Sequence, residues 1–122
     1  MIDMQRELRR GAQGPAQQLL HDHAHETAYL SATALGEFAE GCAVRTHPVL
    51  RSVLAAFVVL PIDEETALHY AQIVRPLRAT GQLIGANDLW IGASARRHGL
   101  RLVTKDGAHF ARIADLKLKT YG

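Results

Sequence analysis

The sequence predicts an α/β fold, a parallel sheet with helices on both faces, from three observations. Helix-patterned and strand-patterned stretches alternate along the chain without a repeat or a low-complexity segment, the order expected when strands are joined by helical crossovers. The stretch at residues 100–104 is short and apolar, as a buried strand is. The 122 residues, 48% of them hydrophobic, suffice for one domain, residues 1–122, around one core.

Taken in order, residues 4–10 have the charge spacing of a helix closed by Gly11 and Gly14, and Pro15 opens a second helix running to about Ala24. Residues 27–31 read as a strand. Residues 33–41 are helical, with Leu35, Phe38, Ala39 and Cys42 on one apolar face. A helix over residues 48–56 precedes a strand over residues 57–60. Asp63 caps a long helix whose buried stripe is Ala67, Tyr70, Ala71, Val74 and Leu77; Pro76 bends it near its end and Gly81 stops it. Asn87 is a natural N-cap for a helix over residues 88–98, with Arg96, Arg97 and His98 in the last turn and Gly99 as the C′ residue. Residues 116–120 supply a last strand. One feature is out of pattern. Doubly wound sheets open on a central strand, whereas this chain opens on MIDMQRELRR, with at most two residues of strand before Asp3. The first strand is therefore expected to be missing or vestigial.

A single cysteine, Cys42, excludes an internal disulfide, reads as a small core residue, and favours a reducing, cytoplasmic setting. No apolar run approaches the roughly 20 residues of a membrane helix. Net charge is +2, pI is near 9.0, and eleven of the fourteen basic residues are arginine, a side chain suited to bidentate phosphate contacts. Arg75, Arg78, Arg96, Arg97 and Arg112 are candidates for drawing in a nucleic acid, their ordinary role being an exposed helix face. No glycine-rich phosphate loop is present. His21 and His25 have i, i+4 spacing, but no third ligand accompanies them, and with His23 they read as a solvated helix end.

Asp88 and Asp106, eighteen positions apart, carry the most chemistry. Eleven helical residues rise roughly 16 Å and five or six extended ones cover about the same distance in return, so both carboxylates are expected at one edge, where α/β sheets bind ligands. Alone, an acid at a helix start or after a strand is an ordinary structural residue. Leu89, Trp90, Ile91, Gly92, Ala93 and Ala95 predict a buried helix start, where a carboxylate needs a partner. Metal ligands and structural caps both remain open on these grounds.

The segment IGANDLWIGASARRHGLRLVTKDGAHFARIADLKLKTY, residues 84–121, resembles the second half of PIN-domain nucleases, in particular the VapC-like toxins of bacterial toxin–antitoxin pairs. YLSATALGEFAEG resembles the family's glutamate-bearing helix, and VVLPIDEETALHYAQI the strand and helix that follow. The resemblance covers nearly the whole chain. It implies a three-layer α/β/α sandwich and an endoribonuclease dependent on Mg²⁺ or Mn²⁺, with an antitoxin partner, an RNA substrate and a homodimer. It implies Glu37, Asp88 and Asp106 as metal ligands, with Asn87 beside them, and Thr104 as a small hydroxyl residue orienting water or a ligand. Hard divalent ions take carboxylate oxygens and keep several waters.

Two departures matter. The family's first strand ends in a further metal-binding aspartate, and no such segment stands here; MIDMQRELRRG resembles the helix that follows it, which implies a strand and acid upstream of Met1. Asp3 as a replacement ligand is the alternative, its ordinary role being an early helical acid. His109 stands where relatives carry an acid; it can bind Mn²⁺, contact phosphate or hydrogen-bond. Two functions follow: a metal-dependent ribonuclease toxin, or a truncated PIN-like protein that binds antitoxin or RNA without cutting.

Overall fold

The computed structural model describes residues 1–3, 27–42 and 47–121, with the backbone alone at Ile2 and Asp3. The helices expected over residues 4–10 and 15–24, and His21, His23 and His25, lie outside the described residues. The described elements are β1 (Ile2–Asp3), β2 (Tyr29–Ser31), α1 (Ala32–Glu40), α2 (Pro48–Ala56), β3 (Val58–Leu60), α3 (Glu64–Ala79), α4 (Ala86–Arg97), β4 (Leu102–Thr104), α5 (Gly107–Phe110) and β5 (Leu118–Thr120).

Every described strand pairing is parallel. One sheet has the order β1-β4-β5 and a second pairs β2 with β3; β1 also lies against β2. The two residues Ile2 and Asp3 thus take a place in the sheet as β1. Ile2 pairs with Val103 and Asp3 with Thr104. Met1 extends the pairing: its carbonyl accepts the Val103 N–H at 2.8 Å, and its ammonium donates to the Arg101 carbonyl at 2.9 Å.

Local chemistry fixes the helix ends. The Ser31 hydroxyl accepts the Ala34 N–H at 3.0 Å and opens α1; His47 Nδ1 accepts the Val49 N–H at 3.2 Å and, with Pro48, opens α2. Asp63 caps α3 as expected, accepting both the N–H and the hydroxyl of Thr66, at 2.9 and 2.7 Å. Both α3 and α4 close in Schellman motifs. Gln82 and Gly81 donate to the carbonyls of Leu77 and Arg78, and Leu100 and Gly99 to those of Ala95 and Arg96, with Gly81 and Gly99 at φ 67° and 64°, a region that costs other residues about 1–2 kcal/mol.

Two expectations need correction. The cap of α4 is Gly85, with no side-chain hydrogen bond, and Asn87 is an exposed residue of the first turn. The helix begins two residues before Asp88, so the aspartate lies within the turn. The buried stripe of α3 is Thr66, Ile73, Val74 and Leu77, while Ala67 and Ala71 are exposed. Thr66 can be buried because its hydroxyl is satisfied by Asp63. Pro76 lies within α3, which continues to Ala79.

The α3 and α4 helices pack along each other. Tyr70 stacks on Trp90 with ring centroids 3.9 Å apart, and Arg96 donates to the Gln72 side chain at 2.7 Å. A Cβ on Gly92 would lie 2.5 Å from Ile113 Cδ1, so the glycine lets the segment after α5 lie against α4. Phe38, Ile73, Ile91, Leu102 and Phe110 form the centre of the core. Among the described residues, no helix is long and apolar enough to cross a membrane.

Candidate metal centre

Helix α4 and strand β4 return Asp88 and Asp106 to one edge, as their spacing predicts. Asp88 sits half-buried in the first turn of α4; burial begins in earnest one residue later, at Leu89. Asp106 follows the carboxyl end of β4. Thr104, fully buried, accepts the Asp106 N–H through its hydroxyl at 3.0 Å and so shapes the turn that presents the acid. Gly107 permits that turn, since a Cβ there would run into the Thr120 methyl of β5.

Asp106 then caps α5, one oxygen accepting the His109 N–H at 3.3 Å while the other lies 2.5 Å from His109 Nδ1. Asp88, Asp106 and His109 each offer a ligand atom within 4.8 Å of the others. Among the described residues, this is the group of three acids or imidazoles close enough to hold an ion. Burial holds the Asp88 carboxyl above its ordinary value, the charge of Asp106 pushes the same way, and His109 draws it back in part.

His109 therefore joins the two acids directly. The signal available in the sequence was its i, i+3 spacing from an aspartate that caps a helix, which returns the third residue to the cap. Glu37 is half-buried on α1, which packs against α4, but is not one of the three residues within 4.8 Å. Asn87 is adjacent in sequence and exposed. The backbone of Asp3 pairs with Thr104 at the carboxyl end of β1, two residues before Asp106. The arginines singled out in the sequence divide. Arg97 approaches Asp63 at 3.5 Å, Arg96 holds Gln72 and Arg112 donates to the Gln82 carbonyl at 3.3 Å, all ties within the fold, whereas Arg75 and Arg78 are exposed on α3.

The donor set, two half-buried carboxylates and an exposed imidazole, suits a divalent cation such as Mn²⁺ or Mg²⁺, with other positions left to water or a phosphate oxygen.

The PIN domain profile matches residues 8–116. The ribonuclease VapC2 of Haemophilus influenzae is 32% identical over 77 residues, a match taking in 63% of this chain and 58% of that protein, less than two thirds of its length. The toxin FitB of Neisseria gonorrhoeae is 37% identical over 98 residues, covering 70% of each chain. The structure of FitAB bound to an IR36 DNA fragment superposes with a TM-score of 0.82 and 27% identity, over 98% of this chain and 94% of that one. From its profile match and these relatives, the chain belongs to the PIN domain family.

Proposed function

We propose that this chain is a metal-dependent endoribonuclease, the toxin of a toxin–antitoxin pair, acting in the cytoplasm as a homodimer and held inactive by a cognate antitoxin. The observation that carries the reading is the convergence of Asp88, Asp106 and His109 within 4.8 Å at the carboxyl edge of a parallel sheet. The naming of VapC2 as a ribonuclease and of FitB as a toxin supports the activity and the class. The likeness to FitAB supports an antitoxin partner.

In this reading Glu37, Asp88 and Asp106 hold Mg²⁺ or Mn²⁺. Such an ion, when bound, lowers the pKa of water for attack on phosphorus and neutralises charge on the phosphodiester. The chain's own groups position and balance. Thr104 and His109 fix the orientation of the Asp106 carboxylate, His109 faces the ion or a phosphate oxygen, and positive charge facing the half-buried Asp88 favours its charged form, which burial disfavours.

The test is incubation of the purified protein with mixed-sequence single-stranded RNA and Mn²⁺ or Mg²⁺. Cleavage is expected, lost in EDTA and reduced by more than about 100-fold in Asp106→Asn, since even groups one shell beyond a metal cost about 10–100-fold. RNA or antitoxin binding that ignores metal, without cleavage, refutes the enzyme and leaves a binding protein.

A further inference from the structure

Glycine at position 92 has no backbone reason to be there. It is buried in the middle of α4, its φ is outside the positive region that Gly81 and Gly99 occupy, and alanine would favour the helix. What requires it is space. A Cβ at Gly92 would lie 2.5 Å from Ile113 Cδ1 and 3.8 Å from Phe110 Cδ1, whereas carbon atoms pack at about 3.5–4.0 Å. Ile113 and Phe110 are 4% and 0% exposed and belong to the core, so the isoleucine cannot swing out into water.

The place of this contact links it to the acids. Asp88 and Gly92 are four residues apart in α4, one turn along the same face. On the facing segment Phe110 comes four residues after Asp106 and Ile113 four after His109, and the turns are continuous: the N–H groups of Phe110, Ala111, Arg112 and Ile113 donate to the carbonyls of Asp106, Gly107, His109 and Phe110. Both sides of the apolar contact thus stand about one turn from the ligand residues. Arg112, between Phe110 and Ile113, donates to the Gln82 carbonyl at 3.3 Å, which fastens the same segment to the loop leading into α4.

We propose that Gly92 is a positioning residue for the metal centre: by bearing no side chain it sets how closely the α5 segment approaches α4, and so holds Asp106 and His109 within reach of Asp88. The proposal rests on the metal-dependent reading given above. A methyl group at position 92 would have to open the contact by about 1 Å to reach ordinary packing distance, while metal–ligand distances tolerate only about 0.2 Å. A close-packed interior transmits such a displacement.

The test measures Mn²⁺ affinity, by calorimetry and by loss of the free-ion paramagnetic resonance signal, beside stability in urea with EDTA present. Gly92→Ala should bind Mn²⁺ about 10–100-fold more weakly, the range for residues that orient ligands from outside the coordination shell. Adding Ile113→Val removes Cδ1, the atom in the way, and should return most of the affinity. Val53→Ala, a core truncation on α2, should unfold at lower urea with its Mn²⁺ affinity intact; an equal weakening there would mean that affinity merely follows stability, and overturns the proposal. Gly92→Ala with wild-type affinity overturns it even in a protein that cleaves RNA. So does a double variant that folds yet binds as weakly as Gly92→Ala or, if the single variant does not fold, a folded double variant about 10-fold or more weaker than wild type. Weakened binding restored by Ile113→Val, in a protein that never cuts RNA, supports the positioning role while the nuclease reading fails. A wild-type chain that binds no Mn²⁺ overturns both.

Discussion

Replacing Asp88 by Asn separates its two possible roles, metal ligand and structural acid, in one thermal melt. In metal-free buffer the wild-type site holds two carboxylates with oxygens within 4.8 Å. At that separation Coulomb's law gives about 0.9 kcal/mol of repulsion in a water-like medium and about 3.5 kcal/mol at an effective dielectric of roughly 20. With the Asp106 side chain 41% exposed, screening places the value near the lower end, about 1 kcal/mol. Against this, an acid in the first turn of α4 gains about 0.3–1 kcal/mol from the helix dipole. The Asn protein should therefore melt between the wild-type temperature and about 4 °C above it at neutral pH in EDTA. The pH dependence has a definite sign. A carboxyl whose folded pKa is raised above the ordinary 3.8 contributes stability that is present below 3.8 and lost as pH rises through the folded value, so the Asn advantage should grow from acid to neutral pH. Saturating Mn²⁺ should reverse the order, because a ligand at about 100 times its Kd stabilises wild type by about 2.7 kcal/mol and has lost a ligand in the variant. An Asn protein melting several degrees below wild type in EDTA, by a margin that Mn²⁺ does not alter, would refute the metal-site reasoning and make Asp88 a structural acid.

Two further outcomes test the supports of the site. Thr104→Val keeps the shape of a buried side chain but removes the acceptor of the Asp106 N–H; a loss of about 1–3 kcal/mol in urea unfolding, with weakened Mn²⁺ binding by calorimetry, is expected, and Thr104→Ser should restore most of both. Asp63→Ala removes the cap of α3 and should lower Tm at neutral pH. Thr66 holds the Asp63 carboxyl down at about 2, first through its N–H and then its hydroxyl; the stabilisation is present above 3.8, so the gap between the two proteins should close as pH falls toward 2.

The parts of the fold legible in the sequence are those where a single residue has a local task. Asp63, Gly81 and Gly99 do at α3 and α4 what their types and positions suggest, and Pro48 opens α2 at the expected place. The meeting of Asp88 and Asp106 was legible because helix and strand lengths alone return the chain to its starting edge. Tertiary context decided the rest. Ala67 and Ala71 count as apolar in a periodic pattern but carry too little area to choose which face of α3 is buried, and Ile73 and Leu77 choose it. Thr66 reads as polar until its bond to Asp63 is known. Asn87 has the chemistry of a cap, yet the turn forms two residues earlier at Gly85. The helix α5 is one turn long, below the reach of periodicity, and it is this turn that brings His109 to Asp106.

The pairing of β4 also bears on how the chain finds its arrangement. Only three residues of that strand are paired in the sheet, yet its two faces are chemically opposite, Leu102 and Thr104 inside and Arg101 and Lys105 outside. A slip of one residue against β1 or β5 would turn two cations into the core and the hydroxyl that shapes the Asp106 turn out to water, because side-chain direction reverses with every step. Burial of unpaired charge makes that misalignment prohibitive. The short strand is thus self-checking: conformations in which the acidic centre is wrongly assembled are also the ones in which the sheet cannot close.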